Sequence, residues 1–151
     1  MLAFDVIPQT LDMTTLGALA VGRRVNVEAA MRSDARLDGH VVQGHVDAMG
    51  TVVAVTQDAK SGIRIRVQVP ERVSDLCVEQ GAITIDGVSL TIADLGNDWM
   101  EVALIPTTSQ DTTLGTIEAG DTVNVETDML ARHVARLVER HMERLMDGRI
   151  A

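Results

Sequence analysis

Between residues 63 and 69 the chain alternates strictly, Ile63-Arg64-Ile65-Arg66-Val67-Gln68-Val69, with every second side chain aliphatic. Period two is the signature of a strand that buries one face. Residues 44–55 predict an earlier strand that turns at Met49-Gly50, and Pro70 breaks the pattern before a single helical turn over 71–76. Ile83-Thr84-Ile85 and Val88-Ser89-Leu90-Thr91-Ile92 flank Asp86-Gly87, the dipeptide favoured in two-residue type I′ hairpins. Residues 99–105 and 122–127 complete about six short strands in under 100 residues, which predicts a small closed barrel. From 128 to 147 the period changes to that of a helix. Leu130, Val134, Leu137, Val138, Met142 and Leu145 form one stripe, and Arg132, Arg136, Arg140 and Arg144 form another. That stripe packs either on its own barrel or on a partner subunit.

A second regularity has a much longer period. Residues 7–28, IPQTLDMTTLGALAVGRRVNVE, align without gaps on residues 105–126, IPTTSQDTTLGTIEAGDTVNVE, with 12 of 22 positions identical. Such self-similarity marks a duplicated unit. If one complete copy runs from about residue 37 to residue 126, the copy that ends at Glu28 lacks about 60 residues at its front, so that Met1 falls inside a unit. A short protein that borrows one strand pair is the alternative. The expected organisation is therefore a remnant of a first barrel at 1–28, a linker at 29–36, a complete barrel at 37–127 and an oligomerisation helix at 128–151.

Composition narrows the functional classes. The formal net charge is −9, and only Phe4 and Trp99 are aromatic. Nucleic-acid binding needs clustered cations or stacking platforms, and this chain has neither. The charge is uneven, because residues 1–127 hold 8 Lys/Arg against 18 Asp/Glu whereas 128–151 hold 5 against 4. No apolar run approaches the roughly 20 residues of a spanning helix, and the N-terminus lacks the layout of a signal peptide. Both features predict a soluble cytoplasmic protein with no membrane partner. Cys77 is the single cysteine, which excludes an intrachain disulfide and a cysteine-rich metal site.

The Asp86-Gly87 hairpin carries the most informative geometry. A two-residue turn pairs Ile85 with Val88, Thr84 with Ser89 and Ile83 with Leu90. One face is then aliphatic, and the other presents Ala82, Thr84, Ser89 and Thr91, against which a flat heterocycle could lie and hydrogen-bond. An ordinary solvated Thr/Ser face fits the same pattern. His40 and His45 invite a metal reading, but an odd spacing of five puts them on opposite faces of a strand and no third ligand accompanies them. His45 shares a strand face with Asp47, which suits a polar or proton-handling role. His133 and His141 fall on the terminal helix as surface residues. Cys77 has no cation or imidazole beside it and reads as packing.

The segments GHVVQGHVDAMG at 39–50, GAITIDGVSLTIADL at 81–95 and IPTTSQDTTLGTIEAGDTVNVETDMLARHV at 105–134 resemble the second barrel of the riboflavin synthase family, and residues 4–28 resemble the end of its first barrel. The resemblance implies an all-β fold, a six-stranded Greek-key-like closed barrel with a C-terminal α-helix. It implies a homotrimer of two-barrel subunits held largely by those helices. The implied reaction converts two molecules of 6,7-dimethyl-8-ribityllumazine into riboflavin and 5-amino-6-ribitylaminouracil, with no cofactor and no metal. The implied site lies between the first barrel of one subunit and the second barrel of another. The residues implied for substrate binding are Gly44, His45, Ser89, Thr91, Ile105, Thr108 and Asp128, of which His45, Ser89, Thr91 and Asp128 are implied as catalytic. The family's MFTGI-like start and NGVCLT-like hairpin are not among these residues. Gln80 and Thr107 stand where the family often has Lys and Glu. A non-catalytic lumazine- or flavin-binding module of the same superfamily is the alternative.

Overall fold

The computed structural model describes residues 3–37, 39–58 and 62–148. The ends of the expected first-barrel remnant (residues 1 and 2) and of the expected terminal helix (149–151) lie outside them, as does residue 38. Six strands, β1 Ala48–Asp58, β2 Gly62–Gln68, β3 Ala82–Ile85, β4 Val88–Leu95, β5 Trp99–Leu104 and β6 Thr122–Thr127, close into a barrel in the order β1-β2-β5-β4-β3-β6. Every pairing is antiparallel. β3, β4 and β5 form a meander, and β6 returns to lie between β3 and β1, which is the Greek-key element of the barrel. Closure leaves no strand edge open.

The alternation that predicted strands also fills the interior. Ile65 and Val67 of β2, Ile83 and Ile85 of β3, Ile92 of β4, Met100 and Val102 of β5 and Val125 of β6 are all completely buried. Leu114, from the segment before β6, adds its side chain to the same core. The outward face of β2 and β5 is charged. Arg64 and Arg66 bind the two oxygens of Glu101 at 2.7 and 3.0 Å, and the Arg66 guanidinium stacks 4.0 Å over Trp99. Partial burial works against the Glu101 carboxylate, but the two guanidiniums outweigh it and hold its pKa below the ordinary value.

The hairpin register is the expected one, with Ile85 on Val88, Thr84 on Ser89 and Ile83 on Leu90. Asp86 takes φ +45° and Gly87 φ +79°, the paired left-handed conformation a type I′ turn requires. The expectation for residues 44–55 needs correcting. Regular strand begins at Ala48, and residues 41–47 form no strand. Gly44 sits at φ +76°, and Glu126 draws the backbone N–H groups of Gln43 and Gly44 out of any ladder. The chain does not turn at Met49-Gly50 either. Gly50 lies within β1, where a Cβ would sit 2.6 Å from Val67 Cγ1, so the glycine serves a close approach to β2. β1 and β4 each carry a bulge, which bends the sheet toward closure.

Two short helices were not foreseen, α1 Pro8–Met13 and its counterpart Pro106–Asp111. The latter is α3, because α2 is the turn Glu71–Ser74. Each begins with proline at its first position and runs into a 3-10 turn, Thr15–Ala18 or Thr113–Thr116. The bounds are offset by 98 residues throughout. Residues 24–28, the counterparts of 122–126, form no strand, and Val25 and Val27 are exposed. The final helix, α4 Met129–Met146, leaves its apolar stripe uncovered by the barrel, with Leu130 and Leu137 more than 60% exposed.

Candidate functional site

β6 organises the region around the predicted residues. Its buried Glu126 accepts from Gln43 N at 2.8 Å and from Gly44 N at 2.9 Å, one bond to each carboxylate oxygen. Next to it, Thr127 donates both its N–H (2.7 Å) and its hydroxyl (2.8 Å) to Asp47 Oδ2, while Arg132 of α4 donates to Asp47 Oδ1 at 3.0 Å. Residues 43–47 are thus held at both ends, and Asp47 is an anchor rather than a companion of His45 on a strand face. The fixed loop presents Gly44, His45 and Val46 to α1. Together with Gln9, Thr10, Met13 and Thr14 they line an open cavity of about 300 Å³. Its wall mixes amide, hydroxyl and imidazole groups with apolar Met13 and Val46, as sites for small polar heterocycles do.

The hydroxyl face of the hairpin is partly covered. Ser89 and Thr91 are exposed, but Thr84 is buried, because His40 lies over it. The His40 ring bridges the hairpin, with Nε2 3.0 Å from Thr84 Oγ1 and Nδ1 2.8 Å from Ser89 Oγ. A neutral imidazole has one donor and one acceptor nitrogen, so this bridge orients the Ser89 hydroxyl and links it to a buried one. The spacing of five between His40 and His45 gives no sign of this bridge, because residues 41–47 are loop rather than the unbroken strand that such a spacing presumes. Gly39 and Gly44, flanking the segment, are the signal that a loop was possible.

The remaining predicted residues lie elsewhere in the fold. Ile105 precedes α3 and is exposed, while Thr108 lies in α3 and accepts from the Thr112 hydroxyl at 2.7 Å through its carbonyl. Asp128 caps α4, its Oδ1 accepting from Leu130 N at 2.9 Å. It borders a second, largely apolar groove of about 410 Å³ with Leu76, Val78, Leu130 and Val134. Gln80 is exposed at φ +62°, and Thr107 is exposed on α3. His133 and His141 are exposed on α4. Among the described residues no group of three or more His, Cys, Asp or Glu side chains could hold a metal ion, and no helix is long and apolar enough to cross a membrane.

Cys77 packs against the core and donates to Val73 O. Burial, reinforced by the negative charge of Asp47, pushes its thiol up to about 11 from 9.0. Thiolate is the reactive form, so at pH 8 alkylation by iodoacetamide is expected to run about 100-fold slower than for a free thiol of the same reference value. Mass spectrometry of timed aliquots measures this. Modification at the free-thiol rate would contradict the buried placement.

Comparison with known proteins adds to this geometry. Residues 43–128 match the family model described as the lumazine binding domain. A riboflavin synthase of Mycobacterium tuberculosis is 47% identical over 137 residues, covering 89% of this chain and 68% of that protein. A riboflavin synthase of Bacillus subtilis is 34% identical over 139 residues, covering 92% of this chain and 64% of that one. Two crystal structures of LumP, one complexed with 6,7-dimethyl-8-(1'-D-ribityl) lumazine and one with riboflavin, superpose with TM-scores of 0.70 and 0.71 at 29% and 30% identity. They cover 80% of this chain and 64% and 65% of those.

Proposed function

The chain belongs to the riboflavin synthase family of lumazine-binding domains, and from that premise we propose that it acts on 6,7-dimethyl-8-ribityllumazine, two molecules of which yield riboflavin and 5-amino-6-ribitylaminouracil. The observation that carries this reading is the cavity between residues 44–46 and α1, which lies at the start of the segment matching the lumazine-binding model. The reaction moves a four-carbon unit from one lumazine to the other, so its atoms and electrons balance without a cofactor or metal. One lumazine must lose a proton from its acidic 7-methyl group, and the other must be activated for attack. His45 is the proton-handling group of the cavity, and Gly44 offers backbone beside it. Ser89, oriented by His40, and Thr91 are hydrogen-bonding groups on the hairpin. Ile105 and Thr108 at α3 and Asp128 at the head of α4 are further contacts that the family resemblance implies, and they stand outside the α1 cavity.

In this reading residues 1–28 end a first barrel, 29–36 link, 37–127 form the second barrel, and 128–151 join subunits through the exposed stripe of α4, as a cytoplasmic homotrimer. A large uncovered apolar stripe favours such association. A second reading, a non-catalytic lumazine- or flavin-binding module, draws on the likeness to LumP, whose crystal structures hold lumazine and riboflavin. Both readings require the pocket. Thr91→Val keeps shape while removing a hydroxyl, and it is expected to weaken lumazine binding by about 0.5 to 1.5 kcal/mol in a fluorescence titration. Unchanged affinity would remove the hairpin face from the site, and detectable riboflavin formation from lumazine alone, however slow beside a two-barrel enzyme, separates the enzyme from the module.

A further inference from the structure

Asn26 and Asn124 stand at equivalent positions of the two similar segments, 98 residues apart, and so do Thr15 and Thr113. Each asparagine grips the other segment's threonine. Asn124 Oδ1 accepts from Thr15 N at 2.8 Å, and its Nδ2 donates to Thr15 Oγ1 at 2.7 Å. Reciprocally, Asn26 Oδ1 accepts from Thr113 N at 2.8 Å, and its Nδ2 donates to Thr113 Oγ1 at 3.0 Å. A side-chain amide closes such a ring because it offers a donor and an acceptor side by side.

The exchange has a consequence for the cavity. Thr15 opens the 3-10 turn directly after α1, the helix that forms one wall. The other wall, the loop at Gly44, hangs from Glu126, two residues beyond Asn124 on the same strand and therefore on the same side of it. We propose that Asn124 is a positioning residue for the ligand cavity: with Glu126 it hangs both walls from β6, and the clasp on Thr15 fixes how far α1 stands from His45. Asn124 touches no ligand in this arrangement. The backbone of Asn124 pairs separately with Asp86, its N–H donating to Asp86 Oδ1 and its carbonyl accepting from Asp86 N, so the hairpin does not depend on the side-chain amide.

The proposal rests on the lumazine reading of the site, and the test separates the two. The full chain, unsubstituted and with Asn124→Leu, Asn124→Asp or Thr15→Val, is titrated with 6,7-dimethyl-8-ribityllumazine, with affinity referred to folded protein. Asn124→Leu deletes two neutral hydrogen bonds and is expected to weaken binding roughly 10-fold or more. Asn124→Asp restores affinity to within about 3-fold, because the Thr15 N–H and hydroxyl can both donate to a carboxylate, a rescue that mere filling of space would not give. Thr15→Val, on a surface turn, weakens binding roughly 3- to 10-fold and keeps the test open should Asn124→Leu fail to fold. Amide exchange at Thr15 accelerates in Asn124→Leu while that at Thr113 does not. Binding by the unsubstituted chain that neither Asn124→Leu nor Thr15→Val weakens would overturn this inference alone. Absence of saturable binding by the unsubstituted chain would overturn the lumazine reading and this inference with it.

Discussion

Purified by itself, the 151-residue chain is expected to bind 6,7-dimethyl-8-ribityllumazine but to form riboflavin at least about 10⁵-fold more slowly than a two-barrel riboflavin synthase, because positioning of two reactants is worth roughly 7 to 11 kcal/mol. The dismutation joins two copies of one substrate, and each must be held against the other. Only one barrel closes among the described residues, and the segment equivalent to β6 in the other copy, residues 24–28, pairs with nothing that would make it a strand. One pocket supports binding, whereas a bimolecular step with one partner free in solution forfeits the effective molarity of the second pocket. The measurement is a binding titration and a riboflavin assay on the same sample. Synthesis at the rate of a two-barrel enzyme would show that copies of this barrel pair productively with one another.

Replacing Asp47 by Ala is expected to destabilise the folded chain by about 3 to 5 kcal/mol, the cost typical of removing one partner of a largely buried charged pair. Its carboxylate serves three donors, the Thr127 N–H, the Thr127 hydroxyl and the Arg132 guanidinium. Thr127 is 1% exposed, so neither of its donors could turn to water once Asp47 is gone. Arg132 of α4 would lose its ion pair to Asp47 and keep only the longer bond to Gln43 Oε1 at 3.3 Å. Asp47→Asn keeps an acceptor for Thr127 and is expected to cost less than Asp47→Ala. Urea unfolding of the two variants checks both the magnitude and the order, and equal losses would show that charge rather than acceptance matters at this position.

The barrel was legible because its strands are amphipathic with period two. Ile65, Val67, Ile83 and Ile85 announce a buried face in the sequence and occupy it in the structure. The hairpin register followed from Asp86-Gly87, since that turn admits few alternatives. What the sequence concealed depends on contacts between distant residues. Nothing local to residues 41–47 announces that Glu126, more than 80 positions away, will hold that backbone off the sheet. Placing His40 and His45 on opposite faces of one extended strand failed for that reason, and with it went the bridge from His40 to Ser89 and Thr84. α1 and α3 did leave a trace, a proline at the first helical position in each similar segment, which an alternation-based reading overlooks. The likeness of residues 7–28 to 105–126 was visible as sequence, but that each segment's asparagine would serve the other's threonine was not, because a linear alignment contains no information on exchange.

Backbone amide shift mapping of the isotope-labelled chain during titration with 6,7-dimethyl-8-ribityllumazine shows whether a lumazine occupies the cavity between α1 and residues 44–46. Saturable shifts are expected at Thr10, Thr14, Gly44, His45 and Val46. Shifts confined to the groove around Leu76, Val78 and Val134, with the α1 cavity silent, would contradict that occupancy.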